Sequence, residues 1–231
     1  MPEPKAYRLP STATPERYQI RLAPDLGTST FTGEEKVTVR VHEPVREIVL
    51  NAAELEFQNV SIEAPGEMSI RGSAVLDHDN EQARLEFPQP LDPGLWELQL
   101  TFSGILNNKL HGFYRSTYKN AEGKERVLAS TQFESTDARR AFPCWDEPAL
   151  KAVFQVTLVI DEALTAISNT GIVRENLLPG THKKEVEFAD SIKMSTYLVA
   201  FIVGEFESTE PVMAGDAPLR VWAVPGKLQL A

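Results

Sequence analysis

The sequence predicts an all-β fold: a multi-stranded, mostly antiparallel β-sandwich or saddle with at most one or two short helices. Three observations carry that expectation. Period-two alternation of apolar and polar residues dominates wherever a pattern exists, sixteen prolines and thirteen glycines punctuate the chain, and no sustained helical period occurs. Tyr18 to Leu22 and Lys36 to Val41 alternate as half-buried strands. Similar segments follow at Ile48 to Leu50, Leu55 to Ile62, Arg84 to Phe87, Trp96 to Phe102, Phe154 to Ile160 and Leu219 to Val224, separated by clusters of Gly, Pro, Asn or Asp. The longest apolar run, Tyr197 to Gly204, reads as a strand buried on both faces. One short helix is expected after Glu134, where Ser135 or Thr136 can cap, Asp137 favours the first turn and Pro143 stops it. No repeat of constant period is evident, and residues 1–231 are expected to form a single β domain. The last residues, Val224 to Ala231, begin a polar-apolar segment that stops before any periodicity is established, as at a cut domain boundary.

Composition narrows the function classes. A chain of 231 residues can bury ~70% of its unfolded surface. With 42% apolar and 24% charged residues it is an ordinary globular protein without a long disordered region. A net charge of −10 argues against nucleic acid, because phosphate binding needs a basic face. The one cysteine, Cys144, cannot form an internal disulfide, and the charged, proline-bearing N-terminus lacks the apolar stretch of a signal peptide. No apolar run approaches the ~20 residues of a membrane-spanning helix. A cytoplasmic protein without membrane partners is expected.

Several local patterns imitate known sites. His42-Glu43-Pro44-Val45-Arg46 starts like a zinc-binding helix, but Arg46 stands where the second ligand is needed and Pro44 interrupts the turn, so it reads as a strand end. Asp77 to Glu81 has oxygen ligands at alternate positions, yet Gln82 stands where a calcium loop needs glycine; a hairpin loop is expected. His78, His111 and His182 are widely separated and give no ligand spacing. Cys144 has no histidine close in sequence to activate it, and packing is its expected role. Gly-x-Ser-x-Gly, His-Glu-x-x-His and phosphate-binding glycine loops are all absent.

The informative segment is Thr131 to Phe154. Gln132 and Glu134 flank Phe133 on a short strand, so both polar heads leave one face while the ring is buried on the other. A carboxylate on such a rim suits a cationic partner; pairing within the chain to Arg139 or Arg140 is the other reading, and spacing alone leaves both open. Asp146-Glu147-Pro148 reads as a turn whose acids are available to those arginines. Adjacent acids point apart on an extended chain, which disfavours a catalytic pair.

This segment resembles the active-site border of zinc aminopeptidases of the aminopeptidase N and puromycin-sensitive family, where it lies in the domain ahead of the catalytic one. Ala138 to Phe154 is similar to the family pattern Arg-x-x-Phe-Pro-Cys-Phe-Asp-Glu-Pro-x-x-Lys-Ala-x-Phe, with Trp145 where Phe is common. The likeness extends to Tyr7 through Tyr18, Phe31 to Val37, Gly112-Phe-Tyr-Arg115, Ser168 to Gly171 and Met194 to Gly204, in order along nearly the whole chain.

The resemblance implies that Glu134 helps bind the α-ammonium of a peptide substrate and that Gln132 contacts its first residue. It also implies that zinc and the catalytic residues belong to a catalytic domain expected after residue 231, because the Gly-x-Met-Glu-Asn motif is absent here too. This chain would hold no catalytic residue and no metal ligand, and would not hydrolyse peptides by itself. The alternative is a non-catalytic protein-interaction module using the same β fold. A carbohydrate-binding sandwich would need an exposed aromatic platform, whereas Trp96 and Trp222 lie in alternating patterns more typical of core.

Overall fold

The computed structural model describes residues 8–120 and 122–230. The sequence reading of residues 1–7 therefore lies outside the described residues, including Tyr7 of the opening motif. In chain order the strands are β1 (Ala13–Asp25), β2 (Thr30–Val41), β3 (Val45–Asn51), β4 (Leu55–Glu63), β5 (Ile70–Arg71), β6 (Ser73–Asp77) and β7 (Gln82–Leu91). There follow β8 (Gly94–Ile105), β9 (Gly112–Lys119), β10 (Glu125–Gln132), β11 (Val153–Asp161), β12 (Thr165–Ser168), β13 (Ile172–Leu178) and β14 (Lys183–Phe188). The last are β15 (Phe201–Gly204), β16 (Glu207–Ser208), β17 (Val212–Ala214), β18 (Ala217–Leu219) and β19 (Trp222–Ala223).

They form an eight-stranded sheet in the order β13-β14-β11-β1-β2-β8-β4-β5, a four-stranded sheet β12-β15-β10-β9, a three-stranded sheet β3-β7-β6 and two two-stranded pairs. Among the described residues all strand-to-strand pairings are antiparallel except β1 with β11. The all-β expectation holds. Among the described residues the helical structure consists of three single 3-10 turns, at Ala138–Arg140, Thr196–Leu198 and Leu228–Leu230, one more short helical piece than expected. Among the described residues no helix is long and apolar enough to cross a membrane.

Alternation decides which face each strand buries. On β1 Tyr18, Ile20 and Leu22 point inward, matched on β8 by Trp96, Leu98, Leu100 and Phe102. Gly33 on β2 is required by packing, since a Cβ there would lie 2.4 Å from the ring of Phe102. A chain of rings then ties the large sheet to the four-stranded one. Tyr18 stacks on Phe154 at 4.8 Å, Phe142 meets Tyr18 at 6.1 Å and Phe133 at 6.0 Å, and Phe133 meets Phe201 at 5.9 Å. Phe201 reaches Phe113 at 4.9 Å, which lies 5.2 Å from Phe31 on β2. Edge-to-face pairs of this kind add about 0.5–1.5 kcal/mol each beyond burial.

Two strand expectations need correction. Of the Tyr197 to Gly204 run, only β15 is strand, because Thr196–Leu198 closes a 3-10 turn and leaves Leu198 exposed. Leu219 to Val224 is divided between β18 and β19, and Trp222 is not core. It is 39% exposed, with the Arg220 guanidinium 6.0 Å from its ring. Alternation there does not mark a buried face, since Leu219 and Val221 are exposed as well. Trp96, by contrast, is buried and donates its indole N–H to the Asp92 carbonyl at 2.9 Å.

Candidate functional site

Strand β10 ends at Gln132, so Phe133 and Glu134 continue its alternation without belonging to it. Phe133 is 2% exposed among Phe142 and Phe201, and its burial turns Gln132 and Glu134 outward, where both are exposed. Gln132 pairs in register with Gly112 on β9. Gly112 has φ +69°, and a Cβ there would lie 2.8 Å from Cβ of Arg140, so glycine meets both the conformation and the close approach. The Gln132 amide donates to the backbone carbonyl of Glu134 over a long 3.5 Å. The Glu134–Ser135 peptide is cis.

The expected short helix is displaced. It is one 3-10 turn, begun after Asp137 with no side-chain cap. The Asp137 carboxylate is engaged elsewhere, accepting from Arg140 Nε at 2.9 Å and facing His111 Nδ1 at 3.2 Å, while its backbone N–H donates to the Phe133 carbonyl at 2.9 Å. Ser135 and Thr136 are exposed and do not cap it.

Both arginines are taken by other acids. Arg139 Nε donates to Asp146 Oδ2 at 3.0 Å and its NH1 to Glu81 at 3.2 Å. Arg140 contacts Glu54 at 2.9 Å, Glu81 and Asp137. Burial works against the Arg140 charge, but the Asp137 hydrogen bond and the charges of Glu81 and Glu54 outweigh it and raise its pKa. Glu54 and Glu81 hold these positions at φ +57° and +51°, left-handed conformations that cost a non-glycine residue about 1 kcal/mol. Among the described residues the Glu134 carboxylate has no ion-pair or hydrogen-bond partner. The pairing of Glu134 with Arg139 or Arg140 is thus absent.

The following run is structural. Asp146 is buried; besides Arg139 it accepts from Thr196 Oγ1 at 2.6 Å, and its N–H donates to Asn51 Oδ1 at 3.1 Å. Glu147 accepts the Leu9 N–H at 2.5 Å, so the two adjacent acids serve separate partners and share no reacting centre. Trp145 is fully buried, donating its indole N–H to the Ala13 carbonyl at 3.1 Å and its backbone N–H to the Tyr18 hydroxyl at 3.2 Å. Cys144 is also fully buried; burial, then the charge of Asp146, pushes its thiol pKa well up, which fits packing rather than nucleophilic chemistry.

Elsewhere, Asp77 to Glu81 closes the β6–β7 hairpin as expected, and His42 stands just past β2 against Thr14 at 2.9 Å. No group of three or more His, Cys, Asp or Glu among the described residues could hold a metal ion. Glu54, Glu81 and Gly112, which fix the segment from a distance, carry no signal of that role in their sequence neighbourhoods; Gly112 was visible only as part of the Gly-Phe-Tyr-Arg element.

The peptidase M1 N-terminal domain family matches residues 14–198. The chain is 42% identical over 224 residues to the puromycin-sensitive aminopeptidase of Caenorhabditis elegans, an alignment covering 96% of this chain and 24% of that protein. It is 43% identical over 224 residues to aminopeptidase M1 of Arabidopsis thaliana, with 95% and 25% covered. With endoplasmic reticulum aminopeptidase 1 of Homo sapiens it shares 39% over 228 residues, with 97% and 24% covered. The chain spans about a quarter of the length of these curated relatives. With residues 14–198 of its 231 matched and relatives of about 40% identity covering nearly all of it, the chain belongs to the peptidase M1 N-terminal domain family.

Proposed function

We propose that this chain is the substrate-cleft domain of a zinc-dependent aminopeptidase, in which Glu134 receives the α-ammonium of a peptide and Gln132 contacts the first residue. The observation that carries the proposal is the state of Glu134. Its carboxylate is exposed and has no partner among the described residues, although two arginines lie five and six residues away and both are held by other acids. A structural acid would have taken one of those partners. A peptide α-amine, with a pKa of about 7.7–8.0, is largely protonated near neutral pH, and a charge-assisted hydrogen bond to it contributes about 1.5–3 kcal/mol. An acetylated terminus offers no such cation, so the site favours peptides with a free N-terminus.

Zinc would supply an activated water for attack on the first peptide carbonyl. The described residues present no donor set for it. Its ligands and the general base therefore belong, on this reading, to a catalytic domain elsewhere in a polypeptide of the relatives' length. This chain contributes one anionic wall, with no metal and no catalytic residue of its own. The single buried cysteine supports a reducing, cytoplasmic setting.

In the full-length enzyme, Glu134→Gln should lower kcat/KM about tenfold or more, the loss of at least ~1.4 kcal/mol of transition-state binding. Unchanged kinetics would remove the site claim. The chain alone, incubated with zinc and a fluorogenic aminoacyl substrate, should show no turnover that survives repurification.

A further inference from the structure

Strand β2 turns an acid into the core. Its alternation buries Phe31, Gly33, Glu35, Val37, Val39 and Val41 and leaves Thr32, Glu34, Lys36 and Arg40 exposed. Glu35 is 1% exposed. Its register partners are Ile20 on β1 and Leu100 on β8, and the next strands out contribute Val156 on β11 and Val60 on β4. All four are buried. A carboxyl group thus occupies the middle of an otherwise apolar row crossing five strands of the large sheet, and among the described residues neither of its oxygens has a hydrogen-bond partner.

The ionisable side chains that feel its charge are Tyr18, from β1, and Cys144, from the segment packed over the sheet. Both are buried, and a phenol or a thiol is neutral when protonated and anionic when not, so neither supplies a positive charge. Asp146 and Arg139 act on the same region but are bound to each other at 3.0 Å. Glu34 and Lys36 lie on the opposite face. A neutral carboxylic acid is tolerable in such a place, whereas an ionised carboxylate without a partner is far more costly.

We propose that Glu35 makes the closed large sheet a proton-dependent state: the side chain keeps its proton while β1, β2 and β8 are packed, and releasing that proton to solvent favours local opening of these strands. Burial raises the Glu35 pKa well above the ordinary 4.5. Because the folded-state value is the higher one, the stability tied to Glu35 is fully present below the unfolded value, and it is lost as pH rises toward and through the folded value. This device is independent of the amine site and sits on the core face, so its test does not depend on aminopeptidase activity.

The experiment is urea unfolding of this chain and of Glu35→Gln and Glu35→Met from about pH 5 to pH 9, with hydrogen exchange read on β1, β2 and β8. The folding constant of each variant relative to the parent should rise by up to tenfold per pH unit until the folded carboxyl titrates. Exchange in those strands should accelerate with pH more in the parent than in the variants, and the infrared carbonyl band of a protonated acid should persist near neutral pH in the parent and vanish in Glu35→Gln. Parallel stability profiles, or a parent lacking that band near neutral pH, would overturn the proposal. If Glu35→Met does not fold, Glu35→Gln decides alone.

Discussion

Phe133 does at the residue scale what its neighbours need. Its ring lies between Phe142 and Phe201, and with it buried the period-two backbone turns Gln132 and Glu134 toward solvent. Phe133→Ala should cost about 3–5 kcal/mol of stability in denaturant melts, as for other buried aromatic truncations. It should also disturb both flanking polar side chains, seen as shifted amide resonances at residues 132 and 134. A loss below ~1 kcal/mol would mean that the ring does not anchor the rim. This much was legible from sequence, because alternation is local. The partners of Arg139 and Arg140 were not. Glu81 lies 58 and 59 residues away from them, and its own surroundings advertise only a hairpin.

The element that positions the rim is the 3-10 turn with its paired arginines. Arg140 packs on Gly112 and gathers Asp137, Glu81 and Glu54, tying the turn to two neighbouring loops at one end of the β3-β7-β6 sheet. Arg140→Met would remove the one cation shared by all three acids, leaving Glu81 to Arg139 at 3.2 Å and Glu54 to the exposed Lys109 at 3.4 Å. After allowance for solvent at Glu54, the expected loss is about 2 kcal/mol, read as a lowered urea midpoint. Arg140→Lys should restore only part of it, since one ammonium cannot fork to three carboxylates. Full recovery with lysine would show that charge alone suffices.

Sequence failed at this element because Asp137 suits a helix N-terminus by type, while tertiary contacts recruited its carboxylate. Strands β1, β2, β4, β7, β8 and β11 were each foreshadowed, since each buries one face. Strand β13 was not: its residues are exposed almost throughout, leaving no contrast between faces to read.

At the scale of the molecule, a β scaffold whose residues 14–198 match the peptidase M1 N-terminal domain family spans about a quarter of the relatives' length. Residues 212–230 expose Val212, Met213, Leu219, Val221, Trp222 and Leu230. On the aminopeptidase reading, the remaining polypeptide covers them. The isolated chain should therefore self-associate at high concentration, measured by analytical ultracentrifugation, and strictly monomeric behaviour would argue against this surface as a docking face.

Recognition of a charged peptide terminus by Glu134 is the central proposal, and a double-mutant cycle in the full-length enzyme tests it most directly. It compares kcat/KM for a substrate with its α-amine and for the matching des-amino analogue, in the parent and in Glu134→Gln. If the two charges meet, removing either should cost about tenfold or more, and removing the second should cost little beyond the first. Independent, additive losses would contradict the claim.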